Sequence, residues 1–322
     1  NRERFNGEGV VPVNSTQKNI VNTQWENDWQ YLPIIQALTA LSVLFHDWGK
    51  ASKLFQEKLN PKSKNKYKGD PLRHEWISCV LLHALVYSSE NKESDVNWLT
   101  QLSEGNINEV TLKEFAEKKE LKPLSKLPAT ASLIAWLIIS HHRIPNFSTN
   151  ISKTRSNYLG ESASHYTSIF HQIRQNWGYK NHYDEKEYKQ RINDCFDFQN
   201  GLISDSKKWL RQVKRWAKKL LDCQSLIEKS LTDGTWRLIL HHSRLCLMLG
   251  DHHYSSKEAD KNWQNVVDLY ANTDRVTKQF KQKLDEHLVG VAKYALKTTQ
   301  LLPAFENSPP KAMDIQSLKK AS

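Results

Sequence analysis

The sequence has no apolar run long enough to cross a bilayer as a helix, which takes about 20 consecutive residues; the longest candidates, such as Ile34 to Phe45, fall short. A membrane-spanning protein is excluded, and no membrane partner is expected. Cysteine is scarce: Cys79, Cys195, Cys223 and Cys246 stand far apart with no C-x-x-C pair. This removes a zinc ribbon and a thioredoxin-like motif, and points to reduced thiols in a cytoplasmic setting. No G-x-x-x-x-G-K-S/T stretch occurs, so the nucleotide-binding loop of a motor is absent from this chain. Nor does the N-terminus show the basic head and apolar stretch of a signal peptide. Methionine occurs at positions 248 and 313 alone and the chain begins with Asn1, so a fragment of a larger polypeptide, or a trimmed one, is expected. Acid is also in deficit, with 35 Asp and Glu against 46 Lys and Arg, a net charge of +11. That balance favours an anionic partner without specifying any chemistry.

Aromatic residues, by contrast, make up 10% of the 322 positions, including 11 Trp, which is enough to build a core. Few segments alternate with period two, whereas helical spacing recurs. Leu32, Ile35, Leu38, Leu41 and Phe45 follow it behind Pro33, a first-turn residue, and the run ends in His46-Asp47-Trp48-Gly49-Lys50. A short helix is expected from Lys53 to Leu59, and another from about Asp70-Pro71, with His74 in its opening turn. Short helices are expected between Ser88 and Pro128, then a strong one from Ala129 to His142. A basic helix covers Ser206 to Leu221, and Trp236 to Gly250 carries Leu240, Ser243, Leu247 and Asp251 on one line. The chain therefore reads as all-α, with residues 1–28 a lead-in, 29–300 one globular domain and 301–322 a loose tail.

Histidine carries the chemistry. Thirteen His in this length include three adjacent pairs, His141-His142, His241-His242 and His252-His253. Neutral imidazole is the commonest transition-metal ligand, and a carboxylate adds the charge needed to hold cations together. His46-Asp47 ends an apolar helix, His74 begins one, His141-His142 ends a third and Asp251 a fourth. Ligands at the ends of core-lining helices can converge on one buried point. His46, Asp47, His74, His141, His142 and Asp251 form the candidate set. His241 and His242 lie mid-helix with at least one facing solvent, and His252 or His253 could support Asp251 from behind.

Phe45-His46-Asp47-Trp48-Gly49-Lys50, Arg73-His74-Glu75, Ser140-His141-His142-Arg143 and Gly250-Asp251-His252-His253-Tyr254-Ser255, in that order, resemble the motifs of the HD phosphohydrolase superfamily. Within it, the paired His-His and the late Asp-His followed by Ser resemble the HD nuclease domain of the CRISPR-associated nuclease-helicase of type I systems. The opening, Arg4-Phe5-Asn6 through Gly9-Val10-Val11-Pro12, resembles the type I-F branch, where an adaptation-type domain precedes this one and a helicase follows.

The resemblance implies a helical, metal-dependent single-stranded DNA nuclease that degrades the strand displaced by an RNA-guided surveillance complex in antiviral defence. Carried over by position, Asp47 bridges two metals, His46 and Asp251 complete one site, and His74, His141 and His142 the other. Family members commonly have a further His near the domain's start, and none precedes His46 here. That ligand is left to water, an N-terminal side chain or sequence outside this chain. The implied partners are single-stranded DNA, the helicase part of the same polypeptide, the surveillance complex and the adaptation integrase. An imidazole-rich set favours one or two divalent transition ions, Mn, Fe, Co or Ni, over Mg. Such ions acidify water and neutralise phosphodiester charge. Lys50 is then a catalytic candidate beside Asp47, donating to the phosphate or holding Asp47 in place, and Arg143 a DNA-binding one.

Two basic tracts bear on substrate. Lys58 to Lys68 holds five Lys and no acid; Lys207 to Lys219 holds seven Lys or Arg, interleaved with Trp209 and Trp216. Phosphate tracking with base stacking is one reading. Helical spacing of Trp209, Val213, Trp216 and Leu220 favours the other, a buried Trp seam behind a basic face. Two further functions share these residues: hydrolysis of nucleotides or cyclic nucleotides, and docking through a degenerate HD site.

Overall fold

The structure is a computed structural model and describes residues 29–63, 69–119, 122–144, 184–264 and 267–307. Among them are eleven α-helices: α1 (Leu32–His46), α2 (Lys53–Leu59), α3 (His74–Tyr87), α4 (Asp95–Glu104), α5 (Glu109–Glu117), α6 (Ala129–Ser140), α7 (Glu185–Cys195), α8 (Lys207–Asp222), α9 (Gln224–Asp233), α10 (Trp236–Ser255) and α11 (Leu284–Asn307). A 3-10 turn, Trp48–Ala51, follows α1. No helix among these residues is long and apolar enough to cross a membrane. Tyr31–Gln300 form one compact unit. The expected lead-in lies outside the described residues, as do residues 308–322 of the expected tail.

α1 is the axis of that unit. From Ile34 to His46 every residue except Gln36 is buried, and a helix that is covered all round belongs in a core. It packs against α6, α8 and α10. The Trp209 indole of α8 donates to Leu44 O at 2.9 Å, taking one of the carbonyls that the end of α1 leaves unpaired. Trp209 and Trp216 are buried with Val213 and Leu220, while Lys207, Lys208, Arg211, Lys214, Arg215, Lys218 and Lys219 are exposed. The Trp residues form the seam, leaving the charge to the outer face. All four cysteines are free and buried.

Helix ends, which set where ligands sit, differ from the sequence expectation in three places. α3 begins at His74 with Arg73 as its N-cap, not at Asp70-Pro71, because the Asp70 carboxylate pairs with Lys58 Nζ at 2.7 Å. α6 stops at Ser140, so His141 and His142 leave the helix in a turn. Asp95 accepts from Thr130 N (2.7 Å) and Ala131 N (3.1 Å) at the other end of α6, supplying the cap that Pro128 cannot. Arg244 of α10 donates twice to Ser140 O, at 3.0 and 2.7 Å, tying the His-bearing end of α6 to α10. α10 runs past Asp251 to Ser255, so this ligand sits one turn inside its helix.

Residues 267–283 form a hairpin-like excursion with isolated antiparallel bridges, Tyr270 to Lys283 and Thr273 to Phe280. It returns the chain to α11, whose first turn carries three consecutive buried polar residues, Asp285, Glu286 and His287. Ser206 and Trp263 donate to Asp285 Oδ2 at 2.6 and 3.0 Å. Tyr254 OH and Asp260 N donate to Glu286 Oε1 at 3.1 and 2.8 Å. The start of α11 is thereby fixed against α8 and α10.

Candidate metal centre

The six residues singled out in the sequence converge at one point, together with a seventh. Among the described residues two groups can each hold an ion: Asp47, His74, His141 and His142, and His46, Asp47, Asp251 and His287. Asp47 belongs to both and divides its oxygens between them. Oδ1 lies 3.0 Å from His74 Nε2 and 3.9 Å from His141 Nε2. Oδ2 lies 3.3 Å from both His46 Nε2 and His287 Nε2. Asp251 Oδ1 closes the second group at 3.5 Å from His287 Nε2 and 3.9 Å from His46 Nε2.

The imidazoles are aimed by their other nitrogen. Nδ1 of His46 donates to Val43 O at 2.7 Å, and Nδ1 of His141 to Ile138 O at 2.7 Å. His287 Nδ1 lies 2.9 Å from Gln282 Oε1, and His74 Nδ1 3.5 Å from Glu75 Oε2. Carbonyl oxygens only accept, so the neutral rings of His46, His141 and His287 carry the proton on Nδ1 and a lone pair on Nε2; the His74 contact is one of charge proximity, not a hydrogen bond. Nε2 of His46, His74, His141 and His287, with Asp47 Oδ1, are buried and have no properly directed hydrogen bond. Other buried atoms, such as Thr39 Oγ1 and Trp76 Nε1, share that lack, but these five are set apart by lying together around one carboxylate. Imidazole and carboxylate donors arranged this way fit divalent ions of the transition series.

Charge at the centre follows from burial and neighbours. Burial opposes a charge on His46, but the carboxylates of Asp47 and Asp251 outweigh it and raise its pKa. His141 goes the other way: burial, with His46 and His142 beside it, holds it well below the usual range. Burial works against the Asp47 carboxylate too, yet His46 and Lys50 keep it well below the ordinary carboxyl value. Lys50 Nζ is 2.6 Å from Asp47 Oδ2, so in this structure Lys50 holds Asp47. Glu75 is buried, and the neighbouring His74 and Arg73 overcome that burial and hold its carboxyl at about 2. Ser255 Oγ donates to Asp251 Oδ1 at 2.9 Å.

Gly49 sets the distance between α1 and α3. Its N–H donates to Ser78 Oγ (2.8 Å), which donates on to His46 O (2.9 Å). A Cβ at Gly49 meets His74 O at 2.2 Å, Ile77 Cβ at 2.8 Å and Ser78 N at 2.9 Å. Two of these are backbone atoms of the helix that carries His74, and they have no rotamer into which to escape. Gly49→Ala is therefore expected to destabilise the domain by about 2–3 kcal/mol and to weaken the His74 group. Urea denaturation and an Mn²⁺ titration check the two effects; wild-type values in both refute the account.

The remaining sequence candidates sit at the rim or outside. His142 is exposed at the edge of the first group, with its ring 3.9 Å from that of His141. Arg143 follows it, exposed. His252 and His253 are exposed as well, so support for Asp251 comes from Ser255, one turn on, rather than from either. His241 is exposed and His242 partly so, away from the ligand set.

His287 is the residue that sequence reasoning missed. It stands beside His46, Asp47 and Asp251 in the second group, where the sequence reading had left the missing ligand to water, an N-terminal side chain or sequence outside the chain. Its signal was legible: a His in the first turn of an apolar helix, the placement that had singled out His74. Leu284, Leu288, Val291, Ala292 and Ala295 are the buried face behind it.

Comparison with known proteins agrees with the motifs. The family described as "Cas3, HD domain" matches residues 13–221. A CRISPR-associated nuclease/helicase Cas3 of subtype I-F/YPEST from Pectobacterium atrosepticum is 35% identical over 319 residues, covering 96% of this chain and 28% of that protein. Its namesake from Pseudomonas aeruginosa is 35% identical over 316 residues, with the same coverage. The chain thus spans under a third of the length of these relatives. Asp251 and His287 lie beyond the family match, although they complete the second group.

Proposed function

Because the chain belongs to the Cas3 HD-domain family, we propose that its His/Asp centre hydrolyses the phosphodiester backbone of single-stranded DNA with one or two divalent transition ions. The observation that carries this is the division of Asp47, one oxygen toward Nε2 of His74 and His141 and the other toward Nε2 of His46 and His287, four buried atoms with no directed hydrogen bond. His46, Asp47, Asp251 and His287 would hold one ion, and Asp47, His74, His141 and His142 the other. Ions so held would supply Lewis acidity, lowering the pKa of water and offsetting charge on the scissile phosphate. Imidazole donors favour Mn, Fe, Co or Ni over Mg.

The chain's own residues arrange the rest. Lys50 keeps Asp47 in its bridging pose and adds a cation beside the reacting phosphate. His142 and Arg143, both exposed, face the incoming backbone. The exposed Lys and Arg of α8 form a track for phosphates, a sequence-independent contact that suits a strand of any base composition. The domain works in the cytoplasm, joined to a helicase in the same polypeptide and fed by the strand that a surveillance complex displaces, with an adaptation integrase as a further partner.

The test is incubation with circular single-stranded DNA and, separately, with nucleoside monophosphates and cyclic nucleotides, adding Mn²⁺, Ni²⁺, Co²⁺ or Mg²⁺ in turn. Nicking of the circle that EDTA abolishes is the expected result. Nucleotide hydrolysis without nicking makes the chain a small-molecule phosphohydrolase instead, and silence on every substrate leaves a docking module.

A further inference from the structure

Gln282 ends the 267–283 excursion, two residues before α11, and is completely buried. Its Nε2 donates to Tyr254 O and to Lys257 O, both at 2.9 Å, at the C-terminal end of α10. Its Oε1 accepts from Asn272 Nδ2 at 2.8 Å and faces His287 Nδ1 at 2.9 Å. This amide cannot be turned over: reversal sets its oxygen against two carbonyl oxygens. Asn272 is pinned in the same way, since its Oδ1 accepts from the Gln282 N–H at 3.0 Å. Every atom of the Gln282 amide therefore has a settled role. One buried side chain spans from the end of the helix that carries Asp251 to the start of the helix that carries His287.

We propose that Gln282 is a positioning residue of the second group: its carbonyl oxygen holds His287 in the Nδ1–H tautomer, so that Nε2 presents a lone pair toward Asp47 and Asp251. This rests on the metal-centre reading above, but the tautomer exists without an ion. Lacking that acceptor, the ring divides between two tautomers, one of which turns an N–H toward the ion. Ligand-orienting groups of this kind are worth about 10- to 100-fold in metal affinity.

The test uses the full chain, labelled with ¹⁵N on histidine and stripped of metal. Long-range ¹H–¹⁵N correlation, read on its high-pH plateau, gives the tautomer of His287, which is assigned by its disappearance in His287→Ala. Wild type is expected in the Nδ1–H form; the Nε2–H form overturns the proposal before any variant at Gln282 is made. Gln282→Leu removes both the acceptor and the two donors and is expected to lose the single tautomer, with affinity for the second Mn²⁺ falling about 10- to 100-fold. Gln282→Glu loses at least one of the donations to α10 but keeps an acceptor for Nδ1, and is expected to retain the tautomer and most of the affinity. Equal losses in both variants overturn the proposal, because they mean that Gln282 serves only to cap α10. If the tautomer responds as expected while wild type takes up no second ion, the positioning role stands and the metal-centre reading fails.

Discussion

Asp47→Asn is expected to reduce metal-dependent DNA cleavage by at least about a thousand-fold, equivalent to roughly 4 kcal/mol of barrier, and to remove both ions. The argument is geometric before it is electrostatic. One oxygen of Asp47 faces His74 and His141, and the other faces His46 and His287, so no other side chain in the described structure contributes to both groups. An amide of the same shape keeps one oxygen, loses the negative charge and turns an N–H pair toward one set of imidazoles. It also leaves Lys50 without the carboxylate that it contacts at 2.6 Å. The apolar body of α1 is untouched, so the fold survives and the loss is read in the ions and the chemistry. Isothermal titration with Mn²⁺ and nicking of circular single strands are the measurements. A variant that still binds two ions and still cleaves removes the bridging role of Asp47 altogether.

His287→Ala is expected to halve the ion stoichiometry, from two to one, and to slow cleavage by at least about a hundred-fold, close to 2.7 kcal/mol. His287 contacts Asp47 Oδ2 and Asp251 Oδ1 but takes no part in the group built on His74, His141 and His142. Its removal should therefore spare the first ion, unlike removal of Asp47. His252→Ala is the matched control: that ring is exposed beyond the ligand set, and the change should leave stoichiometry and rate as in wild type. Two ions retained in the His287 variant would return the missing ligand to water or to another part of the polypeptide.

The elements that could be read from the sequence were those decided locally. The apolar periodicity of α1, α6 and α10, the short helices between residues 88 and 128 and the Trp seam of α8 all follow from which side chains seek burial. The candidates His46, Asp47, His74, His141, His142 and Asp251 stood out only as a set: one His at a helix end reads first as a cap, but this many imidazoles and carboxylates at the ends of core helices suggest a shared site. Contacts made at long range were not legible. Asp70 resembles an N-cap until Lys58 takes its carboxylate. Asp251 resembles a helix end in the sequence, but Gly250 before it is buried against Ala295 of α11 and the helix runs on to Ser255. His287 obeyed the same placement rule as His74 but came after the last recognised motif, and only the return of the chain through residues 267–283 brings it to Asp47. The imidazole tautomers are less legible still, since Gln282 and the helix carbonyls that fix them carry no pattern of their own.

The order of the ligands along the chain also governs when the centre can exist. His46, Asp47, His74, His141 and His142 leave the ribosome well ahead of Asp251, and His287 comes last, on the final described helix. At synthesis rates of about 5–20 residues per second, the interval between His142 and His287 lasts on the order of ten seconds. Throughout it the nascent chain owns at most the first group. The second group therefore cannot form until the chain has been made through His287, whereas the first needs no side chain beyond His142.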